Sequence, residues 1–337
     1  MRPNIFDIAT KELHQDAFIT WLLQFADNEH RSVDGTLNEC GRKFIQQLIR
    51  KRLPDFTDSV EKVKAGRQWQ DIDVWAKIND KYLVIIEDKI HSSAHSDQLR
   101  RYKEMADTWC SKNGYEKPIC IYLKTGNESL NSLKGVIRKG YAIFDRIDFI
   151  DLLEEFSSTQ NNIFHDFLAR LKRLERQNLA FENKNIGEWK GADWQGFFQF
   201  LEKEINIINW HYVNNPNGGF WNAVLNWEYW GVYPVYIQIE QGKLCFKIST
   251  DPDEVIMPDN ATRSGVRNQL NRLILSKAKE LGFTKIKRPK RFGHGKYMTV
   301  AVVERKNWLG SDLEVLNSAF VIDSLNAHKQ FLKQVIA

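Results

Sequence analysis

The chain has 337 residues, of which 42% are hydrophobic and 12% aromatic, so a disordered protein is excluded and one large or two ordinary domains are expected. No apolar run approaches the roughly 18 residues of a membrane span, and the first residues lack the apolar segment of a secretory signal. The four cysteines form no CxxC pair and the net charge of +5 is mild, so we expect a cytoplasmic protein without a zinc knuckle or a membrane partner.

The first half of the chain alternates predicted helices and strands. Leu13, Ala17 and Trp21 recur at steps of four, which predicts a helix over residues 10–26. The elements predicted after it are a helix at 38–53, two or three strands between 58 and 90 with a turn at Asn79–Asp80, a helix at 96–109, a strand at 118–124, a short strand at 141–144, and helices at 147–156 and 160–177.

The composition changes near residue 178, where a polar stretch precedes a region rich in tryptophan. The second half predicts a helix at 192–205, strands between 221 and 250, a helix at 263–281, a strand at 297–305 and a final helix. Trp194, Phe197, Phe198 and Leu201 recur at helical spacing, which favours packing over ligand binding. We therefore predict two domains, one at 1–178 and an α+β one at 179–337 that is rich in tryptophan and basic and is expected to bind a substrate or a partner.

Charged residues end the apolar strand that leads to Lys89. Because side chains alternate along a strand, Glu87 and Lys89 share one face and Asp88 lies on the other. In the preceding strand Asp71 and Asp73 are expected to share a face. If the two strands pair as a hairpin, Asp73 can lie beside Glu87, and two carboxylates then meet one ammonium group at the strand ends.

Two carboxylates this close favour a cation between them. Mg²⁺ prefers oxygen ligands and often takes one or two protein carboxylates, and a lysine there can orient water or stabilise developing negative charge. Gln98 and Tyr102 lie four residues apart on the next helix, close enough to cover such a site. The alternative from these residues alone is a solvated ion pair of little energetic value.

The motifs D-I-D-V (71–74), I-I-E-D-K (85–89) and Q-L-R-R-Y (98–102) resemble those of the PD-(D/E)XK nuclease superfamily, and the last is similar to the QxxxY element of its RecB-like members. The segment I-Y-L-K-T-G (121–126) resembles a strand and loop of an uncharacterised bacterial branch. Over residues 4–177 the resemblance implies an α/β fold with a restriction-endonuclease-like αβββαβ core, followed here by the C-terminal α+β domain. The predicted domain at 1–178 is therefore expected to be nuclease-like.

The resemblance also implies site residues. Asp73 and Glu87 would be the metal-binding acids and Lys89 the catalytic lysine. The backbone carbonyl of Asp88 and the carboxylate of Glu12 would be further metal ligands.

The choice of metal-binding aspartate and the roles of the helix residues need separate comment. Glutamine and aspartate replace the usual proline before the metal-binding aspartate, so Asp71 competes with Asp73, although the flanking Ile72 and Val74 favour Asp73. Gln98 and Tyr102 would assist at the site or contact DNA.

The implied activity is a Mg²⁺-dependent phosphodiesterase, an endonuclease or exonuclease, with Mn²⁺ as a substitute metal. The implied partner is nucleic acid, with DNA favoured over RNA, and the implied role is bacterial defence or restriction. A homodimer is expected if a single-site enzyme cuts both strands. The alternative is a catalytically inactive nucleic-acid-binding or scaffold protein that keeps the nuclease fold.

A basic segment in the second half is a candidate nucleic-acid interface. Residues 263–306 contain thirteen basic residues and two acids, and the densest part is KIKRPKRFGHGK at 285–296. Phosphate contacts and counterion release would favour a polyanion there, and the alternative is an ordinary solvated surface. The residues expected to bind nucleic acid are Lys287, Arg288, Lys290, Arg291 and Lys296, and Phe292 could stack on a base.

Overall fold

A computed structural model describes residues 3–93, 97–215 and 218–337 of the protein. The chain divides into two compact units, Met1–Arg176 and Gln177–Ala337. The predicted boundary at residue 178 lies just past this division, inside a helix that ends at Leu179. The roles assigned to the two domains stay predictions.

The first unit contains helices on both faces of one mixed sheet. Its helices are α1 (Glu12–Phe25), α2 (Gly35–Arg50), α3 (Gln98–Asn113), α4 (Leu130–Arg138), α5 (Arg146–Glu155) and α6 (Asn162–Leu179). Its strands are β1 (Val63–Trp69), β2 (Ile72–Ile78), β3 (Tyr82–Lys89), β4 (Ile119–Lys124) and β5 (Ala142–Asp145).

The strands of this sheet follow the order β1-β2-β3-β4-β5. β1, β2 and β3 are antiparallel neighbours, whereas β4 runs parallel to both β3 and β5. The turn between β2 and β3 uses Asn79 and Asp80, both with left-handed φ values, of 53° and 51°. Asparagine and aspartate adopt this conformation more readily than most residues, so the predicted turn is confirmed.

Helices cover β3 on both faces, which explains its apolar run. One core joins the sheet to α1, α2, α5 and α6 through residues such as Phe18, Phe44 and Phe149. A second core packs the other face against α3, with Leu99 and Ala106. Every residue of β3 is therefore buried, including the charged residues at its end.

One helix of the first unit was not predicted from the sequence, and one predicted helix end falls outside the described residues. Helix α4 was not predicted, because its sequence LNSLKGVIR carries a glycine and several polar residues; its N-cap Ser129 accepts a hydrogen bond from the backbone N–H of Ser132. The predicted helix at 96–109 corresponds to α3, but its predicted first residue, Ser96, lies outside the described residues.

The second unit is an α+β structure with its own core. Its elements are α7 (Gly191–Ile205), β6 (Asn209–Val213), β7 (Phe220–Val224), β8 (Glu228–Trp230), β9 (Tyr233–Glu240), β10 (Lys243–Ser249), α8 (Arg263–Glu280), β11 (Tyr297–Val303) and α9 (Ser318–Ile336). The strand order is β11-β10-β9-β7-β6, and β8 also pairs with β9. Trp194, Phe197 and Phe198 are buried in this core, as their helical spacing predicts.

In the described parts of the chain, no helix combines the length and apolar character that crossing a membrane requires. All four cysteines are buried free thiols.

Candidate active site

Asp73, Glu87 and Lys89 meet where β2 begins and β3 ends, because these two strands are antiparallel. The Lys89 ammonium nitrogen lies 2.6 Å from Glu87 Oε1 and 3.3 Å from Asp73 Oδ2. Strand alternation puts Glu87 and Lys89 on the same face of the sheet. The structure thus brings together the two acids and the lysine that the motifs indicated.

Asp88 contributes its backbone to this cluster. Its N–H donates a hydrogen bond to Asp73 Oδ2 at 3.0 Å, and its carbonyl accepts one from Lys89 Nζ at 3.0 Å. Its fully buried side chain lies on the opposite face, where Gln15 Nε2 donates to Oδ1 at 2.6 Å. The side chain of Asp88 therefore lies outside the cluster, whereas its backbone carbonyl belongs to it.

Asp71 does not reach the cluster. It is an exposed turn residue with a φ of 69°, and β2 begins only at Ile72. The expectation that Asp71 and Asp73 share a strand face is therefore wrong, since Asp71 belongs to the turn. Of the two competing aspartates, Asp73 is the one beside Lys89.

Glu12 begins α1 and lies at the edge of the cluster. Its Oε1 accepts hydrogen bonds from the Ile90 N–H at 3.0 Å and the Ser92 hydroxyl at 2.9 Å, and its Oε2 is 4.0 Å from Lys89 Nζ. Burial raises the pKa of Glu12, but these two hydrogen bonds and the charge of Lys89 outweigh it and lower the pKa overall. Glu12 is therefore an ionised carboxylate that also connects α1 to the segment after β3.

Burial and neighbouring charges shift the pKa values of both Glu87 and Lys89. Burial, followed by repulsion from the Asp73 carboxylate, raises the pKa of Glu87 to about 7. Burial lowers the pKa of Lys89, but the Glu87, Asp73 and Glu12 carboxylates outweigh it, so the pKa lies above its usual value. Lys89 consequently stays protonated at neutral pH and acts as a cation instead of a proton acceptor.

Gln98 and Tyr102 lie on one face of α3. Gln98 Nε2 donates to the Tyr102 hydroxyl oxygen at 3.1 Å, and Tyr102 is buried in the core between α3 and the sheet. Burial, with added repulsion from Glu87 and the neighbouring aspartates, raises the pKa of Tyr102. The tyrosine therefore keeps its proton near the acid cluster.

Lys124 is a second buried lysine that sequence reasoning missed. It ends β4 in register with Lys89 at the end of β3. Its Nζ donates to the Ser92 carbonyl at 2.7 Å and lies 3.3 Å from Glu128 Oε2. Burial lowers its pKa despite the attraction of Glu128. A lysine directly after the apolar run I-C-I-Y-L was the available signal.

A polar pair inside α1 was also missed. Gln15, already bonded to Asp88, accepts a hydrogen bond from the Thr125 hydroxyl at 2.8 Å. Asp16 is buried, and burial followed by repulsion from Asp73 raises its pKa to about 7. Burial and the neighbouring Asp16 likewise raise the pKa of Asp88 well above its usual value. Adjacent glutamine and aspartate on the apolar side of a helix could have signalled this network.

The oxygen donors around Lys89 bear on the metal ion that the resemblance implies. Within the described ranges, no three Asp, Glu, His or Cys side chains form a group that could hold a metal. The cationic position is instead taken by the Lys89 ammonium, which contacts Glu87, Asp73 and the Asp88 carbonyl. Glu87 Oε2 is buried and has no hydrogen-bond partner among the described residues. Two carboxylates, one of them with this unpartnered oxygen, together with the backbone carbonyl suit a hard cation such as Mg²⁺.

The basic segment lies between α8 and β11 in the second unit. Lys290 and Arg291 are exposed, whereas Lys296 Nζ is 2.9 Å from Asp251 Oδ1. Guanidinium groups of Arg267 and Arg288 lie 4.0 and 4.3 Å from the centre of the Phe292 ring. The ring is therefore engaged within the protein.

The backbone of Lys287 exchanges two hydrogen bonds with Val302 of β11, at 2.9 and 2.8 Å. One end of the basic segment is thus attached to the sheet of the second unit while the Lys287 side chain remains exposed.

The class of protein is defined by two features. One is the mixed α/β architecture, and the other is the acid-x-lysine site, Glu87 and Lys89, at the end of the buried central strand β3. A family model of the PD-(D/E)XK nuclease superfamily matches residues 3–216, and the chain belongs to this superfamily. The match confirms the resemblance and extends past Arg176 into the second unit. No curated protein and no solved structure matches the chain significantly. Membership indicates a nuclease that acts on nucleic acid.

Proposed function

We propose that the protein is a metal-dependent nuclease that hydrolyses phosphodiester bonds, in DNA in preference to RNA. The observation that carries this proposal is the contact of Lys89 with Asp73, Glu87 and the Asp88 carbonyl at the strand ends. In this reading α1, β1–β3, α3 and β4 correspond to the αβββαβ core of restriction endonucleases. A role in bacterial defence is compatible with this activity.

Asp73, Glu87 and the Asp88 carbonyl would hold Mg²⁺, or Mn²⁺ in its place, with Glu12 as a further acid. The metal would supply a water of lowered pKa and positive charge for the phosphate oxygens. Ligation would favour the ionised form of Glu87, whose pKa burial and Asp73 raise to about 7. Metal binding and deprotonation of Glu87 should therefore be linked.

Lys89 would act through its positive charge. Since its pKa lies above the usual value, it stays an ammonium group that can donate to the attacking water or to a phosphate oxygen. The hydrogen-bonded pair Gln98 and Tyr102 would position the substrate beside it. Each of these roles needs only a hydrogen-bond donor held in a fixed place.

The second unit would supply affinity for the nucleic-acid backbone. Lys287, Lys290 and Arg291 are exposed cations, and Arg288 and Lys296 add charge although each also has a partner in the protein. Such groups strengthen binding to any sequence through phosphate contacts.

The test is cleavage by the purified full chain with Mg²⁺ or Mn²⁺, on single- and double-stranded DNA and RNA. We expect cleavage by the wild type and its loss by at least about a hundredfold in Lys89→Ala and in the nearly isosteric Asp73→Asn. Lys64→Ala, an exposed lysine on β1, and Asp71→Asn should retain metal-dependent cleavage. Circular dichroism checks that each variant is folded.

Three outcomes would contradict the proposal. Cleavage that persists in a folded Asp73→Asn protein would remove Asp73 from the site, and loss in Asp71→Asn would transfer the role to Asp71. Binding of nucleic acid without cleavage on every substrate would favour the alternative of an inactive binding or scaffold protein.

A further inference from the structure

The β1–β2 hairpin end, residues 67–71, comprises the last residues of β1 and the turn into β2. It lies beside the candidate active site, because Asp73 is the second residue of β2. Arg67 Nη1 donates a hydrogen bond to the Leu13 carbonyl of α1 at 3.0 Å. On the other side Trp69 packs against the core beneath α3, with its ring centre 5.6 Å from that of Trp109. The hairpin end is therefore held to two helices that flank the site.

The backbone of this hairpin end is unusual for its sequence. Gln68, Gln70 and Asp71 have left-handed φ values of 55°, 50° and 69°. Trp69 pairs with Ile72, so Gln70 and Asp71 form a two-residue hairpin connection with both residues left-handed. Such connections strongly favour Asn-Gly or Asp-Gly, and glutamine is an unfavourable choice.

The next hairpin provides an internal comparison. The β2–β3 turn, a three-residue connection between the paired Ile78 and Tyr82, also has two left-handed residues, but these are Asn79 and Asp80. It lies at the opposite end of β2 from Asp73. The less favourable residues are therefore found at the hairpin beside the site. Unfavourable backbone conformations of non-glycine residues cluster where a side chain has a function.

The two glutamine side chains are exposed, and neither is hydrogen-bonded to another described residue. A carboxamide both donates and accepts hydrogen bonds, which suits the edge of a base and pairs well with adenine, whereas phosphate contacts mostly use lysine and arginine. A two-stranded β-ribbon also has the width of the major groove.

We propose that Gln68 and Gln70 contact base edges in the groove of a double-stranded nucleic acid beside the scissile phosphate. This inference rests on the proposed nuclease function and adds to it a duplex substrate and a source of sequence preference.

The test uses the full chain with the double substitution Gln68→Gly and Gln70→Gly, which removes both amides and relaxes both left-handed positions. Binding is measured by fluorescence anisotropy without divalent metal, on a DNA duplex that the wild type selects from a random-sequence library and on one of the single strands of that duplex. We expect duplex affinity to fall at least about tenfold, with unchanged single-strand affinity and an unfolding temperature that does not decrease. Asp80→Gly relaxes the other hairpin and should leave duplex affinity unchanged.

The results separate this inference from the function on which it rests. Unchanged duplex affinity in the double variant, or an equal loss on single strands, overturns the inference and leaves the nuclease proposal standing. A wild type that binds no nucleic acid overturns both. Loss of affinity with preserved stability supports the groove contact, because a merely structural role would lower both together.

Discussion

Gly126 allows the segment after β4 to pass against the segment after β3. A Cβ atom at this position would lie 1.7 Å from the Ile90 carbonyl oxygen. The same residue, Ile90, donates its N–H to Glu12, and the Thr125 N–H donates to the Lys89 carbonyl at 3.2 Å. The close approach of two backbone segments therefore supports the carboxylate and lysine of the site.

We expect Gly126→Ala to destabilise the first unit by about 3 kcal/mol, because the backbone of residue 90 must move to admit the methyl group. Urea denaturation of the full chain measures the loss. Gly35→Ala is the matched control, since a Cβ at Gly35 meets nothing within 4 Å. Equal stability of the two variants would show that the two segments separate easily.

At the scale of elements, Gln15 connects three parts of the first unit. From α1 it donates to Asp88 at the end of β3 and accepts from Thr125 after β4. Arg146, at the start of α5, donates to the Thr125 carbonyl at 2.7 Å and extends the connection. This polar network lies behind the site and holds the backbone of Asp88, whose carbonyl contacts Lys89.

Gln15→Leu should lower the free energy of unfolding by about 1–3 kcal/mol, because Asp88 and Thr125 lose buried hydrogen bonds. It should also weaken Mn²⁺ binding, measured by isothermal titration calorimetry, through displacement of the Asp88 carbonyl. Gln24→Leu makes the same change on an exposed part of α1, where Gln24 has one bond to the Ala65 carbonyl at 3.1 Å. Equal effects of both substitutions would contradict a special role for Gln15.

At the scale of the whole molecule, the proposed function would place catalysis in the first unit and binding of the nucleic-acid backbone in the basic segment of the second unit. A segment of exposed cations raises affinity for any sequence and makes binding depend on salt. Lys290→Glu with Arg291→Glu should reduce the slope of log affinity against log salt by about two, with little effect on cleavage at saturating substrate.

Binding titrations at several salt concentrations measure this slope. Lys243→Glu, a charge reversal at the exposed first residue of β10, serves as the control. An unchanged slope in the Lys290 and Arg291 variant would instead favour a protein-interaction role for the second unit.

Local patterns were sufficient for several conclusions. The two-residue period of a strand placed Glu87 and Lys89 on one face and Asp88 on the other, and helical spacing placed Trp194 and Phe197 in a core. The short motifs indicated the superfamily that the family model confirms. Strand alternation, helical spacing and short motifs can be recognised in the sequence because each involves residues that are only a few positions apart.

The remaining features depend on contacts between distant parts of the chain. Only the register of β2 and the bounds of its turn distinguished Asp73 from Asp71. The partners of Asp88, the burial of Lys124 and the hydrogen bonds of Glu12 arise where α1, β3 and β4 meet. Because burial and through-space charge determine protonation, the raised pKa of Glu87 also follows only from the folded arrangement.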